Sequence, residues 1–184
     1  MADTDRSNDV ELEKKLDDLY ALIEGIEIAM FTTRRPDGRL VSRPMATQKP
    51  EPGADLWFVT DVESAKVDEL IGDANVALAY YNVKTWEWVS VSGTVTLSQD
   101  RALIRERYRP DWKAWFGDEG GARDGGPDDP RLALVLVDVK SAVYGKRNKP
   151  KPLALFEVAR GMVTGTQPDV ADVRMVTERE MDRR

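Results

Sequence analysis

One short segment, residues 60–70 (TDVESAKVDEL), places a cation where a helix is expected to begin. It follows the apolar run LWFV, so the pattern predicts a strand that passes into a short helix around 63–72. Lys66 falls in the first turn of that helix, where free N–H groups already carry about half a positive charge. The position of Lys66 therefore indicates either a neighbouring carboxylate or a bound anion.

Both explanations are open to this segment. Thr60 and Glu63 match a capping box, and Glu63 or Glu69 could pair with Lys66 at a spacing of three residues, an interaction of roughly 0.2–0.5 kcal/mol. Alternatively, the free N–H groups, the Ser64 hydroxyl and the Lys66 ammonium could hold one phosphate.

A second candidate lies upstream in SRPMATQ (42–48). Pro44 cannot donate a hydrogen bond to a neighbouring strand, which favours a sheet edge or a bulge. Arg43, beside it, offers a planar fork of donors that suits phosphate. A surface arginine next to an edge-strand proline is the plain alternative.

A third candidate is aromatic. Trp112, Trp115 and Phe116 in RPDWKAWF have the i, i+3, i+4 spacing that forms one patch on a helix. The patch either packs onto the sheet or stacks against a planar ligand.

The elements that must position these residues are mostly strands. Short runs joined by turn residues such as PDG (36–38) predict a mainly β, α+β fold, a six-stranded antiparallel barrel with short flanking helices. We predict a tail over 1–8, a single domain over 9–165 and a charged tail over 166–184. The predicted strands are 26–33, 40–48, 56–60, 75–82, 86–97 and 131–144. The predicted helices are 9–25, 63–72, 100–108, 110–116 and 152–165. We expect Gly25 to cap the end of the first helix, Ser98 to cap the start of the third, and the Gly/Asp-rich segment 117–130 to be an exposed loop.

The run 86–97 has a valine-rich face and an opposite face that carries Trp86 and Trp88. Tryptophan is enriched at interfaces, so we interpret the second face as a contact surface in preference to an incidental solvent-exposed one.

Composition excludes several classes of function. The net charge of −6 argues against nucleic-acid binding, and no apolar run is long enough for a membrane span. The acidic N-terminus lacks a signal core, so we expect a cytoplasmic protein. The absence of Cys and His removes thiolates, the commonest general base and the commonest metal ligands, so no metal site is expected and difficult chemistry would need a cofactor.

The order of the motifs is more specific than any one of them. GRLVSRPMATQ, a strand that ends in FVTD, S-x-K at a helix start and WVSVSGTV resemble the flavin-binding split-barrel superfamily typified by pyridoxamine 5′-phosphate oxidase. The segments DWKAWF…DDPRLALVLVDV and LFEVARGMVTGTQPD resemble its general stress protein branch. The resemblance covers roughly residues 9–168.

The resemblance implies a homodimer that binds FMN in clefts at the subunit interface. Arg43 and Lys66 would neutralise the phosphate, and Ser64 would donate a hydrogen bond to it. A flavin-dependent oxidoreductase with a small-molecule electron donor or acceptor is the leading expectation, with no catalytic residue named. The other implied cofactor contacts are Met45, Ala46 and Thr47 along the ring edge, Val59 and Thr60 at the ring and ribityl chain, Trp88 where the oxidase has a polar contact with the flavin, and Trp115 closing the pocket from either subunit.

This sequence departs from the family at three places. Ala65 replaces the arginine of the usual Ser-Arg-Lys, the histidine-containing C-terminal substrate segment has no match, and Gly145 follows Tyr144 where relatives often have tryptophan, which is expected to open space there. Oxidation of pyridoxamine phosphate is therefore not expected. The alternatives left open are a flavin-holding stress protein without turnover, a relative that binds FAD, deazaflavin or haem, and a purely structural role.

Overall fold

The computed structural model describes residues 10–49 and 55–183 of the chain. The tail predicted at 1–8 lies outside these residues. The strands are β1 (Ile28–Arg34), β2 (Leu40–Ala46), β3 (Leu56–Asp61), β4 (Asn75–Tyr81), β5 (Trp88–Ser98), β6 (Leu132–Arg147) and β7 (Ala171–Val176). The helices are α1 (Leu12–Ile26), α2 (Ala65–Gly72), α3 (Arg101–Arg107), a 3₁₀ turn (Pro110–Trp112), α4 (Lys113–Phe116), α5 (Lys151–Thr164) and α6 (Glu178–Met181).

The strands form one antiparallel sheet in the order β2-β1-β4-β5-β6-β3, with β7 paired to the end of β6. This confirms the mainly β, α+β fold class of the split barrel. The six predicted strands are present, and the structure adds a seventh. The predicted PDG turn is also present, because Gly38 takes φ +81° and the Arg35 N–H donates to Arg39 O at 2.8 Å.

The described chain divides into two compact units. The terminal unit comprises the described parts of Met1–Ala29, Leu78–Ser92 and Lys140–Arg184, and the central unit comprises those of Met30–Ala77 and Gly93–Val139. The candidate phosphate residues all belong to the central unit, whereas Trp88 belongs to the terminal unit.

Buried charge pairs hold the C-terminal segment in the terminal unit. Asp18, on α1, accepts hydrogen bonds from Lys146 at 2.5 Å and from Arg174 on β7. Lys15 pairs with Glu180 of α6 at 2.9 Å, although its own side chain is almost fully buried. Residues 171–181 were predicted to belong to a charged tail, but they form a strand and a helix: β7 pairs with β6, and Arg174 and Glu180 bond to side chains of α1.

Close packing defines the interior of the central unit. Phe31 and Phe58 meet edge to face at 5.2 Å between ring centroids. A second cluster forms around Trp57 and Trp112, whose rings also meet at a steep angle, 6.0 Å apart. The loop 117–130, predicted to be exposed, has a buried inner part, where Asp129 is fully inaccessible to solvent.

Two predicted helix caps are wrong. Gly25 lies inside α1, and the helix ends at Ile26 with Glu27 as its C-cap, whose φ is +66° and whose N–H donates to Ile23 O. Asp100, and not Ser98, caps α3, because its carboxylate accepts from the N–H groups of Ala102 and Leu103.

Trp86 does not share a strand face with Trp88. It lies in the turn between β4 and β5 with φ +65°, and its N–H donates to Asn82 O at 2.7 Å. The predicted two-tryptophan face is therefore wrong for Trp86. None of the helices in the described residues has both the length and the apolar character that crossing a bilayer requires.

Candidate functional site

The turn between β3 and α2 is built on Asp61. Its backbone carbonyl accepts from the Ser64 N–H at 3.2 Å and from the Ser64 hydroxyl at 2.6 Å, while its carboxylate accepts from the Glu63 N–H at 2.7 Å. Helix α2 then begins at Ala65, and Ser64 is its N-cap without a side-chain cap bond. Thr60 lies within β3, so the predicted capping box of Thr60 and Glu63 is not formed.

Lys66 turns back toward the start of its helix. Its ammonium donates to the Thr60 hydroxyl at 2.6 Å and to the Ser64 hydroxyl at 2.9 Å. Long side chains on a helix point toward its N-terminus, which explains this direction. Among the residues that the structure describes, no carboxylate pairs with Lys66, because Glu63 pairs with Arg123 and Glu69 with Arg43. The predicted pairing of Lys66 with either glutamate is therefore wrong.

The surroundings of Lys66 disfavour its positive charge. Burial lowers the pKa of the ammonium below its ordinary value of 10.5, the positive charge of Arg43 lowers it further, and Asp61 and Glu69 oppose these effects. A cation in such surroundings gains from an added anion, since the anion would supply the counter-charge that the protein does not.

Arg43 is held on the same side of the central unit by a buried carboxylate. Its guanidinium donates to Glu69 at 2.7 Å and to the Thr33 hydroxyl at 2.7 Å, and Thr33 in turn donates to Glu69 at 2.5 Å. The Thr33 hydrogen bond lowers the pKa of Glu69, burial opposes this, and Arg43 lowers the pKa further. Glu69 is 7% exposed, and because these hydrogen bonds and the charge of Arg43 outweigh its burial, it is an ionised anchor for Arg43.

The remaining donors fit a phosphate. An ammonium has three N–H groups and a guanidinium has five. Lys66 uses two of its N–H groups on the two hydroxyls, and Arg43 uses two on Glu69 and Thr33. One N–H group of Lys66 and three of Arg43 are therefore left for a ligand. The first N–H groups of α2 add donors without partners inside the helix. Ser64 donates to Asp61 O in this structure, so its hydroxyl must rotate to donate to a ligand.

The other residues predicted on these elements lie nearby along the chain. Met45 and Ala46 end β2 and Thr47 follows it, while Val59 lies half-buried on β3. Their contacts with a ligand stay predictions. The backbone just beyond them is fixed by the cluster around Trp57 and Trp112, because one indole N–H donates to Lys49 O at 2.6 Å and the other to the Gln48 side chain at 3.3 Å.

The three residues of the predicted aromatic patch do not share one environment. Trp112 is 3% exposed and packs against Trp57 and Tyr108, and Phe116 is half-buried against the same cluster. Trp115 is 87% exposed, which leaves it free to contact another molecule.

Trp88 occupies the space expected to be open at Gly145. A Cβ at residue 145 would overlap the Trp88 indole, so the two residues pack directly within the terminal unit. Gly145 therefore makes room for a tryptophan from another strand, and the open space that its sequence suggested is filled.

Thr33 and Glu69 were not predicted as members of this site. Glu69 was considered only as a partner of Lys66, because both lie on one helix. Its real partner, Arg43, is 26 residues away in the chain, and Thr33 is 36 residues from Glu69. A threonine on a strand carries no local signal of such a contact.

Comparison with known proteins identifies the family. The sequence pattern of the family described as "pyridoxamine 5′-phosphate oxidase like" matches residues 14–169. The chain belongs to this family. It is 39% identical to Protein bli-3 of Neurospora crassa over 176 residues, which are 94% of this chain and 84% of that protein.

Solved structures share the fold of this pyridoxamine 5′-phosphate oxidase-like protein. A general stress protein 26 from Jannaschia sp. CCS1 matches with a TM-score of 0.67 and 23% identity, over 90% of this chain and 99% of the other. A general stress FMN/FAD-binding protein from Xanthomonas citri matches with a TM-score of 0.57 and 24% identity, over 71% and 87%. These likenesses show that the chain shares the fold of these proteins.

The environment of Lys66 leads to a prediction about stability. Lys66→Met should leave the melting temperature of the ligand-free protein unchanged or raise it, because burial and Arg43 already disfavour the charge. The folded state lowers the lysine pKa, so the penalty is fully present below the lowered pKa. It disappears as the pH rises toward the ordinary value of 10.5.

Thermal unfolding of the wild type and of Lys66→Met, from neutral pH up to about 10.5, measures the difference in melting temperature. Lys113→Met, which removes a solvent-exposed charge of the same unit, is the matched control and should shift the melting temperature by less than about 2 °C. A fall of more than about 3 °C in Lys66→Met at neutral pH, roughly 1 kcal/mol for a chain of this size, would show that Lys66 serves the fold itself.

Proposed function

We propose that this protein binds FMN and acts as a flavin-dependent oxidoreductase. One observation carries the proposal: Lys66, at the start of α2, has two hydroxyl partners and no carboxylate partner in the described residues, while Arg43 acts on it as a second positive charge. Two cations with unused donors beside a helix N-terminus form a site for a phosphate group.

The family and its neighbours support the choice of a flavin. The Xanthomonas citri neighbour is named as an FMN/FAD-binding protein, and a Nostoc punctiforme neighbour as an FMN-binding protein. In the resemblance on which the proposal draws, Arg43, Ser64 and Lys66 occupy the phosphate positions. FMN ends in a single phosphate monoester, which matches a site with two cations.

The residues of this chain position the cofactor. A bound flavin supplies hydride or electron transfer at its ring system. Lys66, Arg43 and the first turn of α2 hold the phosphate, and Glu69 with Thr33 fixes the direction of Arg43. Backbone groups at the end of β2 would then lie along the ring. The chain contains no His and no Cys, so we assign no general acid or base.

The absence of an obvious acid or base also supports a second function, a protein that holds flavin without turnover. Both functions use the same phosphate site, so the two differ only in whether the bound flavin is reduced and reoxidised. Oxidation of pyridoxamine phosphate is not proposed, because the C-terminal histidine-containing segment of that enzyme has no counterpart.

We further propose that two copies of the chain form a homodimer around the flavin. Trp115, on the short helix α4, is 87% exposed, which is unusual for a tryptophan outside an interface. We expect the flavin-loaded protein to sediment as a dimer and Trp115→Ser to weaken the dimer. A monomer at all concentrations in sedimentation velocity measurements would contradict this.

Removal of either phosphate cation should weaken FMN binding. Arg43→Ala and Lys66→Ala should each cost about 1.5–3 kcal/mol of binding free energy, the range for hydrogen bonds to charged groups. Titration calorimetry or flavin fluorescence measures the loss of binding free energy. The same substitutions should weaken the binding of riboflavin much less, because riboflavin lacks the phosphate. Arg39→Ala, at an exposed arginine of the β1–β2 turn, is the control and should bind FMN normally.

Because Arg43→Ala leaves the buried Glu69 without its cation, the double variant Arg43→Ala/Glu69→Gln separates loss of a ligand contact from an unpaired buried charge. Unchanged FMN affinity in all of these variants would reject the proposed phosphate site.

Turnover separates the two functions. The flavin released from the purified protein is first identified by mass spectrometry, which distinguishes FMN from FAD and deazaflavin. The loaded protein is then mixed anaerobically with NADH or NADPH. Loss of the oxidised flavin absorbance within seconds, followed by recovery in air, is expected for an oxidoreductase. Absorbance that persists with both nicotinamides would favour the holding protein.

A further inference from the structure

The turn that carries the proposed phosphate site is braced from outside by the loop 117–130, called here the bracing loop. The turn consists of residues 61–64, from the last residue of β3 to the N-cap of α2. The bracing loop precedes β6, and β6 pairs with β3 so that Leu132 lies opposite Asp61. Loop and turn thus start from neighbouring positions on two paired strands of the central unit.

Arg131 organises the bracing loop. It is 2% exposed, and its guanidinium donates to Asp129 at 2.7 Å, to Glu119 at 2.7 Å and to Phe116 O at 2.8 Å. Its hydrogen bond to Asp129 lowers the pKa of that carboxyl well below the usual range, so the pair stays charged. The backbone carbonyl of Arg131 also accepts from the Val62 N–H at 2.9 Å, which ties the middle of the turn to the same residue.

Arg123 forms the second link between loop and turn. Its two terminal nitrogens donate to the two oxygens of Glu63 at 2.7 and 2.9 Å, and its Nε donates to Glu119 at 2.7 Å. A bidentate pair fixes direction as well as distance. Glu63 is next to Ser64, the N-cap of α2, and three residues before Lys66. The orientation of Glu63 is therefore coupled to the hydroxyl and the N–H groups that face the proposed phosphate.

We propose that Arg123 and Glu63 are positioning residues for the phosphate of the flavin and that the bracing loop thereby adds to the preference for FMN over riboflavin. This rests on the proposed function. Neither residue is assigned a contact with the ligand: the pair holds the turn in the geometry that binds phosphate, so that less ordering is needed when the ligand arrives.

A competing explanation makes an opposite prediction. If Arg123 and Glu63 acted only through their charges, removal of the carboxylate would strengthen binding of an anion and removal of the guanidinium would weaken it. If they act by holding the turn, both removals weaken FMN binding, and the double variant is no worse than either single variant, because the pair is already broken.

The experiment compares FMN and riboflavin affinities for the wild type, Arg123→Gln, Glu63→Gln and the double variant. We expect each to weaken FMN binding about fivefold, the upper end of the effect of one exposed ion pair, and to leave riboflavin affinity unchanged. Riboflavin binding also reports that each variant is folded. Arg105→Gln breaks another exposed ion pair of the same loop, with Asp128 at 2.6 Å, and should not change the ratio of affinities.

The outcomes separate this inference from the proposed function. A wild type that fails to bind FMN overturns the proposed function and this inference with it. A wild type that prefers FMN, with variants that keep the same ratio of affinities, overturns the positioning role alone. Opposite shifts in Glu63→Gln and Arg123→Gln also overturn it, in favour of a simple charge effect. Loss of riboflavin binding equal to the loss of FMN binding assigns the pair to the stability of the fold and overturns it too.

Discussion

The central unit brings two cations together and provides one buried carboxylate for them. Glu69 is bonded to Arg43 and Thr33, so Lys66 is left with two hydroxyl partners. Burial and the neighbouring arginine lower the pKa of Lys66, which means that the folded chain bears an electrostatic cost at this place. Such a cost is common where a protein is built to receive a charged ligand, because the ligand removes it on binding. The other residues of the site hold the two cations in place before the ligand binds.

Four elements of the central unit carry the residues that hold the cations. β2 carries Arg43, β1 carries Thr33, α2 carries Glu69 and Lys66, and β3 delivers Thr60. Beyond the end of β2, the Trp57 indole N–H donates to Lys49 O and the Trp112 indole N–H donates to the Gln48 side chain, and the bracing loop holds the turn before α2 through Arg123. A phosphate contributes affinity only if its donors are already aimed at one point, since every side chain ordered on binding reduces the gain. The bracing loop is rich in Gly and Asp, yet it is bonded internally, because Arg131 donates to Gly117 O and Arg123 O and Asp129 accepts from the Gly125 N–H.

Family membership and site geometry support different parts of the conclusion. Membership in the pyridoxamine 5′-phosphate oxidase-like family is shown by the match over residues 14–169, and the solved neighbours share the fold. A fold hosts many functions, so the cofactor has to be argued from the residues themselves. In this chain the positive charges and the unused donors of Arg43 and Lys66 converge beside the start of α2. Trp88 packs on Gly145 within the terminal unit, and the chain has no histidine.

The sequence by itself determined what is local: the alternation that makes the strands, the PDG turn, the strand-to-helix passage around Lys66, and the order of motifs that identifies the family. It also placed Arg43, Ser64 and Lys66 as candidates. The tertiary structure decided which partner each charge takes. Arg43 pairs with Glu69 across 26 residues, Arg123 with Glu63 across 60, and Arg174 with Asp18 across 156. Spacing along a helix predicted that Glu63 or Glu69 would pair with Lys66. In the folded chain, however, Arg123 pairs with Glu63 and Arg43 pairs with Glu69. Local propensity describes neighbours in the chain, whereas an ion pair depends on distance in space, and only the folded chain sets that distance.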